Sequence, residues 1–148
     1  MTFYYDSVNS LNATTTDGTA TGGGGNAIVF AASSSLVNEE RINDQSTLTA
    51  VTSWAQNDML AFDLGSAKAV DFVALYFNAE ETDDIGFQFD TASTGASGGG
   101  TTISGTFGAN AWSVTEFSTQ TKRYWRIHAQ GSNGIVGLTE CFFGSKLE

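Results

Sequence analysis

The sequence predicts an all-β fold, an antiparallel β-sandwich of about eight strands, and three observations carry that reading. Apolar or alternating stretches recur about every ten residues with turn formers between them, and none has the spacing of an amphipathic helix. The composition, with 12% aromatic residues, 17 glycines and no proline in 148 residues, is globular and leans towards strands. Finally, Arg123 to Gly144 concentrates Tyr124, Trp125, Phe142 and Phe143 with Ile127, Val136 and Leu138. Two strands cannot hide that many rings, so a second layer of sheet must cover them.

Taken in order, Met1 to Asn26 carries Phe3, Tyr4 and Tyr5 and then NATTTDGTATGGGGN, whose threonines and glycines bury little. It reads as a flexible N-terminal arm or loop (1–26), leaving 27–148 as a single sandwich domain. Ala27 to Ala31 (AIVFA) is a first strand, and the polar stretch from Ser33 to Leu48 is mostly loop. Leu48 to Trp54 is rich in threonine and valine, and Leu60, Phe62 and Leu64 then alternate with Ala61 and Asp63. A Gly65-Ser66 turn separates these from Ala69 to Phe77 (AVDFVALYF), which is apolar on both faces and so a central strand. Phe72 and Leu75 are expected in the core with Tyr124 and Ile127. After the acidic EETDD turn, Ile85, Phe87 and Phe89 form a strand with one wet face, and TASTGASGGG is a low-complexity loop. Thr101 to Phe107 and Trp112 to Phe117 follow. A closing hairpin pairs Arg123 to Ala129 with Ile135 to Phe143 across Gln130-Gly131-Ser132-Asn133-Gly134.

Charge and cysteine content exclude several classes. A formal charge of -10 repels phosphate backbones and anionic membranes, so neither nucleic acid nor membrane is expected as a partner. The N-terminus lacks the basic and apolar regions of a signal peptide, and no apolar run reaches the roughly 20 residues of a membrane span. The single cysteine, Cys141, sits in an apolar strand as a buried thiol.

Catalytic signals are weak. His128 lies on a strand with no adjacent nucleophile and reads as a surface or satisfied polar residue. Gly95-Ala96-Ser97-Gly98-Gly99 matches a nucleophile elbow in letters only, since an elbow needs an apolar strand before it and a helix after it. The chain is therefore read as no enzyme. Glu80, Glu81, Asp83 and Asp84 form the densest charge cluster and read as a solvated turn; Trp54, Trp112 and Trp125 read as core. Arg123 and Arg126 are expected to pair with internal carboxylates such as Asp63 or Asp71.

In combination, Asn43 and Asp44 ahead of Thr52-Ser53-Trp54, the stretch FDLGSAKAVDFVALYF, Trp112 to Phe117, RYWRI and GLTECFFG resemble the discoidin-like family, the coagulation factor five/eight type C or galactose-binding-like β-sandwich. The resemblance implies a discoidin-like jelly roll and, as a possible cofactor, a structural calcium ion shared by Asp44 and Glu140. The loop INDQSTLTAVTSW is longer than the family's and lacks its glycine. A small module of this kind resembles those in structural proteins of tailed bacteriophages. The implied function is a non-catalytic binding or structural module of a virion, a capsid decoration or tail protein. It would dock on virion proteins or on copies of itself through Phe3, Tyr4 and Tyr5. The alternative is a carbohydrate-binding module of an extracellular glycan-active protein, with glycans as partners.

Overall fold

The structure, a computed structural model, describes residues 3–5, 14–16, 19–21, 28–31, 36–38, 42, 46–90 and 97–147. Two 19-residue strands organise it, β5 (Met59–Phe77) and β8 (Ala111–Ala129). They run antiparallel from Met59 opposite His128 to Phe77 opposite Ala111. The shorter strands are β1 (Phe3–Tyr5), β2 (Thr14–Thr16), β3 (Thr19–Thr21), β4 (Ile28–Ala31), β6 (Ile85–Asp90), β7 (Ser97–Ile103) and β9 (Leu138–Leu147). The main sheet has the order β1-β9-β5-β8-β6-β7, with β4 also paired to β5, while β2 and β3 form a separate pair.

The long strands break register between Asp63 and Lys68 and again between Val70 and Phe72. At these irregularities the sheet folds over, because extra residues on one strand bend and twist it. The first half of β5 and the second half of β8 pair with β4 and β6, while the second half of β5 pairs with β9. Two layers result, and their inner faces meet as aromatic contacts. The Phe143 ring of β9 lies 5.0 Å from Phe62 and 5.2 Å from Phe87, both edge-on. Leu60, Phe62, Val73, Leu75, Phe77, Ile85, Ile127, Leu138 and Cys141 fill the rest of this core, joined by Leu36 and Ile42 from the polar stretch before β5.

The all-β sandwich is as the sequence indicates, and so is the buried central strand: Val70, Phe72, Val73, Ala74, Leu75 and Phe77 are all buried. Four local expectations are corrected. Gly65 does not end a strand; its N–H donates to Asp63 Oδ1 at 2.8 Å and the chain continues in β5 through an irregularity. Trp112 to Phe117 and Arg123 to Ala129 are likewise one strand, β8. The closing pair is no hairpin, because β8 and β9 both pair with β5, which lies between them. Apolar on both faces, that segment gains more from two partners than an edge position would give it. Tyr124 is only half-buried, opposite Asp63 at the first irregularity, with the Arg123 guanidinium 4.9 Å from its ring.

Candidate functional site

The sequence-designated residues do not converge. Phe3, Tyr4 and Tyr5 form the backbone of β1, pairing with Leu147, Lys146 and Ser145 at the edge of the sheet. Glu140 is buried on β9 opposite Tyr76, and Asp44 lies outside the described residues. No group of three or more His, Cys, Asp or Glu side chains arranged for a metal occurs among the described residues. Ser97 opens β7 and pairs with Asp90, which is not the strand-to-helix geometry of an elbow.

The acidic turn is only partly solvated. Glu81 is buried, its Oε1 accepting the N–H groups of Thr82 and Asp83 at 2.7 Å and its Oε2 accepting that of Val136. Asp83 Oδ2 accepts the Asn133 N–H at 2.8 Å. The carboxylates therefore clamp the turn to the loop that follows β8. Arg123 makes the expected pair, with Nε and Nη2 donating to both oxygens of Asp63 at 2.7 and 2.9 Å, which holds the Asp63 carboxyl below its ordinary range. Arg126 is buried and donates to Gln88 Oε1 at 3.0 Å. Burial, and then the Arg126 charge, push the half-buried His128 imidazole below its ordinary value, and its Nδ1 has no hydrogen-bond partner among the described residues.

Of the tryptophans, Trp54 and Trp125 are buried as expected, but Trp112 is 43% exposed. Its register partner Tyr76 alternates with the core-facing Leu75 and Phe77, so Trp112 projects from the outer face. There it stacks on Phe142 at 5.0 Å and meets Tyr76 edge-on at 5.2 Å.

At the end of the sandwich where β8 bends, a cleft of about 140 Å³ opens between β6, β7 and β8, lined by Phe87, Phe89, Gly100, Thr101, Phe117, Ser118, Gln120 and Trp125. Alternation along β6 places Ile85, Phe87 and Phe89 on the inner side. On β7 the glycines leave room for them. A Cβ on Gly99 would stand 2.7 Å from Phe89 Cζ, and one on Gly100 would stand 2.5 Å from the Phe87 carbonyl oxygen; both have φ in the region favoured by glycine. On β8, Gln120 pairs with Val70 and Glu116 with Phe72, so Phe117 to Thr119 oppose Asp71 alone. That bulge turns Phe117, Ser118 and Gln120 towards the cleft.

Phe87 and Trp125 are the buried floor, stacked at 5.1 Å. Phe89 stands edge-on to Trp125 at 5.6 Å and Phe117 tilts over it at 6.0 Å, both partly exposed. Thr101, Ser118 and Gln120 supply the polar rim. None of the eight lining residues among the described residues carries a side chain that ionises near neutral pH. The cleft suits a small ligand with one apolar face and several hydroxyl groups. The sequence held a signal for it, a phenylalanine-alternating strand facing a glycine run, but the loop reading of TASTGASGGG concealed that Ser97 to Gly100 are strand.

No protein-family model matches the chain, and no curated protein matches it. Solved structures do. The chain is 30% identical to the CBM32 of AlyQ in complex with 4,5-unsaturated mannuronic acid, over 78% of this chain and 92% of that one, with a TM-score of 0.59. A truncated AlyQ with CBM32 and alginate lyase domains is 28% identical at a TM-score of 0.62, and 81% of this chain covers 32% of it, as expected of one domain among several. Chitosan-binding module 1 from the chitosanase/glucanase of Paenibacillus sp. IK-5 has the same fold, at 22% identity and a TM-score of 0.57 over 80% of this chain and 93% of that module.

Proposed function

We propose that this galactose-binding-like, or discoidin-like, β-sandwich is a non-catalytic carbohydrate-binding module that holds a sugar residue in the cleft between β6, β7 and β8. The observation that carries the reading is the lining of that cleft. Phe89 and Phe117 present partly exposed rings beside the Phe87 and Trp125 floor, and Thr101, Ser118 and Gln120 place hydroxyl and amide groups around them. A pyranose has the complementary surface, with C–H groups on its faces and hydroxyls at its edge. Rigid aromatic side chains bury such a face with few rotors to freeze. Gln120 Nε2 sits 3.4 Å from both the Ser118 carbonyl and Oγ, weak contacts that leave the amide able to turn to a ligand hydroxyl.

The neighbouring modules support this reading, as their described ligands are an unsaturated mannuronic acid and chitosan. The virion role drawn from the sequence finds no support in them, and the carbohydrate-binding alternative takes its place. The test is a titration of neutral and acidic oligosaccharides followed by tryptophan fluorescence, with Trp125 as the reporter in the cleft floor. Binding that is lost in Phe89→Ala and retained in Trp112→Ala supports the assignment. A full panel without binding, or binding insensitive to Phe89, refutes it.

A further inference from the structure

This inference rests on the cleft being the sugar site and concerns which sugars it selects. The chain has six lysines and arginines in all against sixteen carboxylates, yet two lysines stand directly opposite one another in the β5–β8 pair, Lys68 and Lys122. Like charges directly across an antiparallel pair destabilise it, and on a chain with so many carboxylates an acidic partner would be easy to supply. None is present among the described residues. Of the nearby carboxylates, Asp63 is held by Arg123 in a two-point pair, and Asp71 accepts a hydrogen bond from Thr119.

The lysines adjoin the cleft. Gln120, which lines it, pairs with the buried Val70, and Lys122 and Lys68 are the next residues on that same face of the two strands. Lys122 Nζ lies 4.8 Å from the centre of the Phe89 ring, which forms one wall. A cation is attracted to the face of an aromatic ring, which holds the Lys122 ammonium beside this wall of the cleft. Local conflicts of this kind, a like-charge pair in an otherwise consistent sheet, concentrate where function overrides stability.

We propose that the cleft selects acidic sugars, Lys122 together with Lys68 receiving the carboxylate or sulfate of the bound residue while the Phe89 wall takes its apolar face. The two lysines are then specificity-determining residues of the site.

The experiment compares β-1,4-mannotriose, its mannuronate counterpart, which differs in carrying a carboxylate on each ring, and 6-O-sulfated mannotriose. Each is titrated into the full chain at low salt and at 1 M sodium chloride. The expected result is that at least one acidic trisaccharide binds tenfold or more tighter than mannotriose at low salt, and that high salt erases most of this advantage. Lys122→Gln removes most of the preference and Lys68→Gln part of it, each weakening the acidic trisaccharides more than it weakens mannotriose. Because the lysines repel each other, the double variant without ligand melts no lower than the unsubstituted chain. Equal affinity for neutral and acidic trisaccharides, or a preference that survives both substitutions, overturns this inference and leaves the cleft as a neutral-sugar site. Absence of binding by all three overturns this inference; whether the cleft reading falls with it is decided by the broader oligosaccharide panel and the Phe89→Ala variant.

Discussion

Replacing Glu81 with alanine tests how this loop-rich end of the sandwich is held. The carboxylate is 4% exposed and accepts three backbone N–H groups, two within its own turn and one from Val136 in the loop after β8. The backbone of Glu81 also exchanges two hydrogen bonds with Phe107, at 3.1 and 2.7 Å, so three loops meet at this residue. A hydrogen bond to a charged group contributes roughly 1.5–3 kcal/mol, and truncation leaves buried donors unsatisfied at about 1–3 kcal/mol each. The three effects overlap, since the loops relax and admit water, so the expected loss is about 3–5 kcal/mol. With a urea slope of about 1–3 kcal/mol per molar, the midpoint falls by about 1 M or more. Equilibrium urea unfolding followed by far-UV circular dichroism reads this directly. A loss below about 1 kcal/mol with an unchanged slope would mean that Glu81 is solvated, as the sequence suggests, and that the clamp does not hold in solution.

Three further predictions address the core, pH and calcium. Phe143→Ala removes the ring that joins the two layers and is expected to destabilise the chain by about 3–5 kcal/mol; a reversible melt showing less than about 1 kcal/mol would contradict the two-layer packing. The folded state holds His128 below its ordinary value of 6.5, so the unfolded chain takes up the proton first as pH falls. The His128 contribution is therefore full above about pH 6.5 and is lost on acidification towards the depressed folded value. The melting temperature should drop between pH 7.5 and 5.5, and His128→Gln should flatten that drop; an identical pH profile in the variant would exclude His128 as its source. If Asp44 and Glu140 share a calcium ion, excess calcium must raise the melting temperature through preferential binding to the native state. No response to calcium or to a chelator, with Asp44→Ala also silent, would remove that site.

Fold class and the central strand were legible because burial writes itself into period and composition. AVDFVALYF is apolar on both faces since both faces are covered, and IGFQFD alternates since one is. Strand partners were not legible. Arg123 to Ala129 and Leu138 onwards have the pattern and spacing of a hairpin, and only the competition for β5 shows that they lie on either side of it. The arginine at 123 found its carboxylate because a chain this acidic offers few other uses for a guanidinium beside Asp63. Glu81 was misread for a related reason: a carboxylate in a charged turn and one that accepts three buried N–H groups have the same local sequence. The cleft was hidden because it depends on a bulge in β8 and on glycines of β7 lying against phenylalanines of β6. Neither registers in the pattern of any single strand.

The most direct measurement of the central claim is a crystal structure of the chain with a bound oligosaccharide. The account predicts a sugar ring against Phe89 and Phe117 over the Phe87 and Trp125 floor, with its hydroxyls on Gln120, Ser118 or Thr101. A sugar found instead on the outer Trp112, Tyr76 and Phe142 surface, or in the loops joined by Glu81, with the cleft between β6, β7 and β8 holding only water, would contradict it.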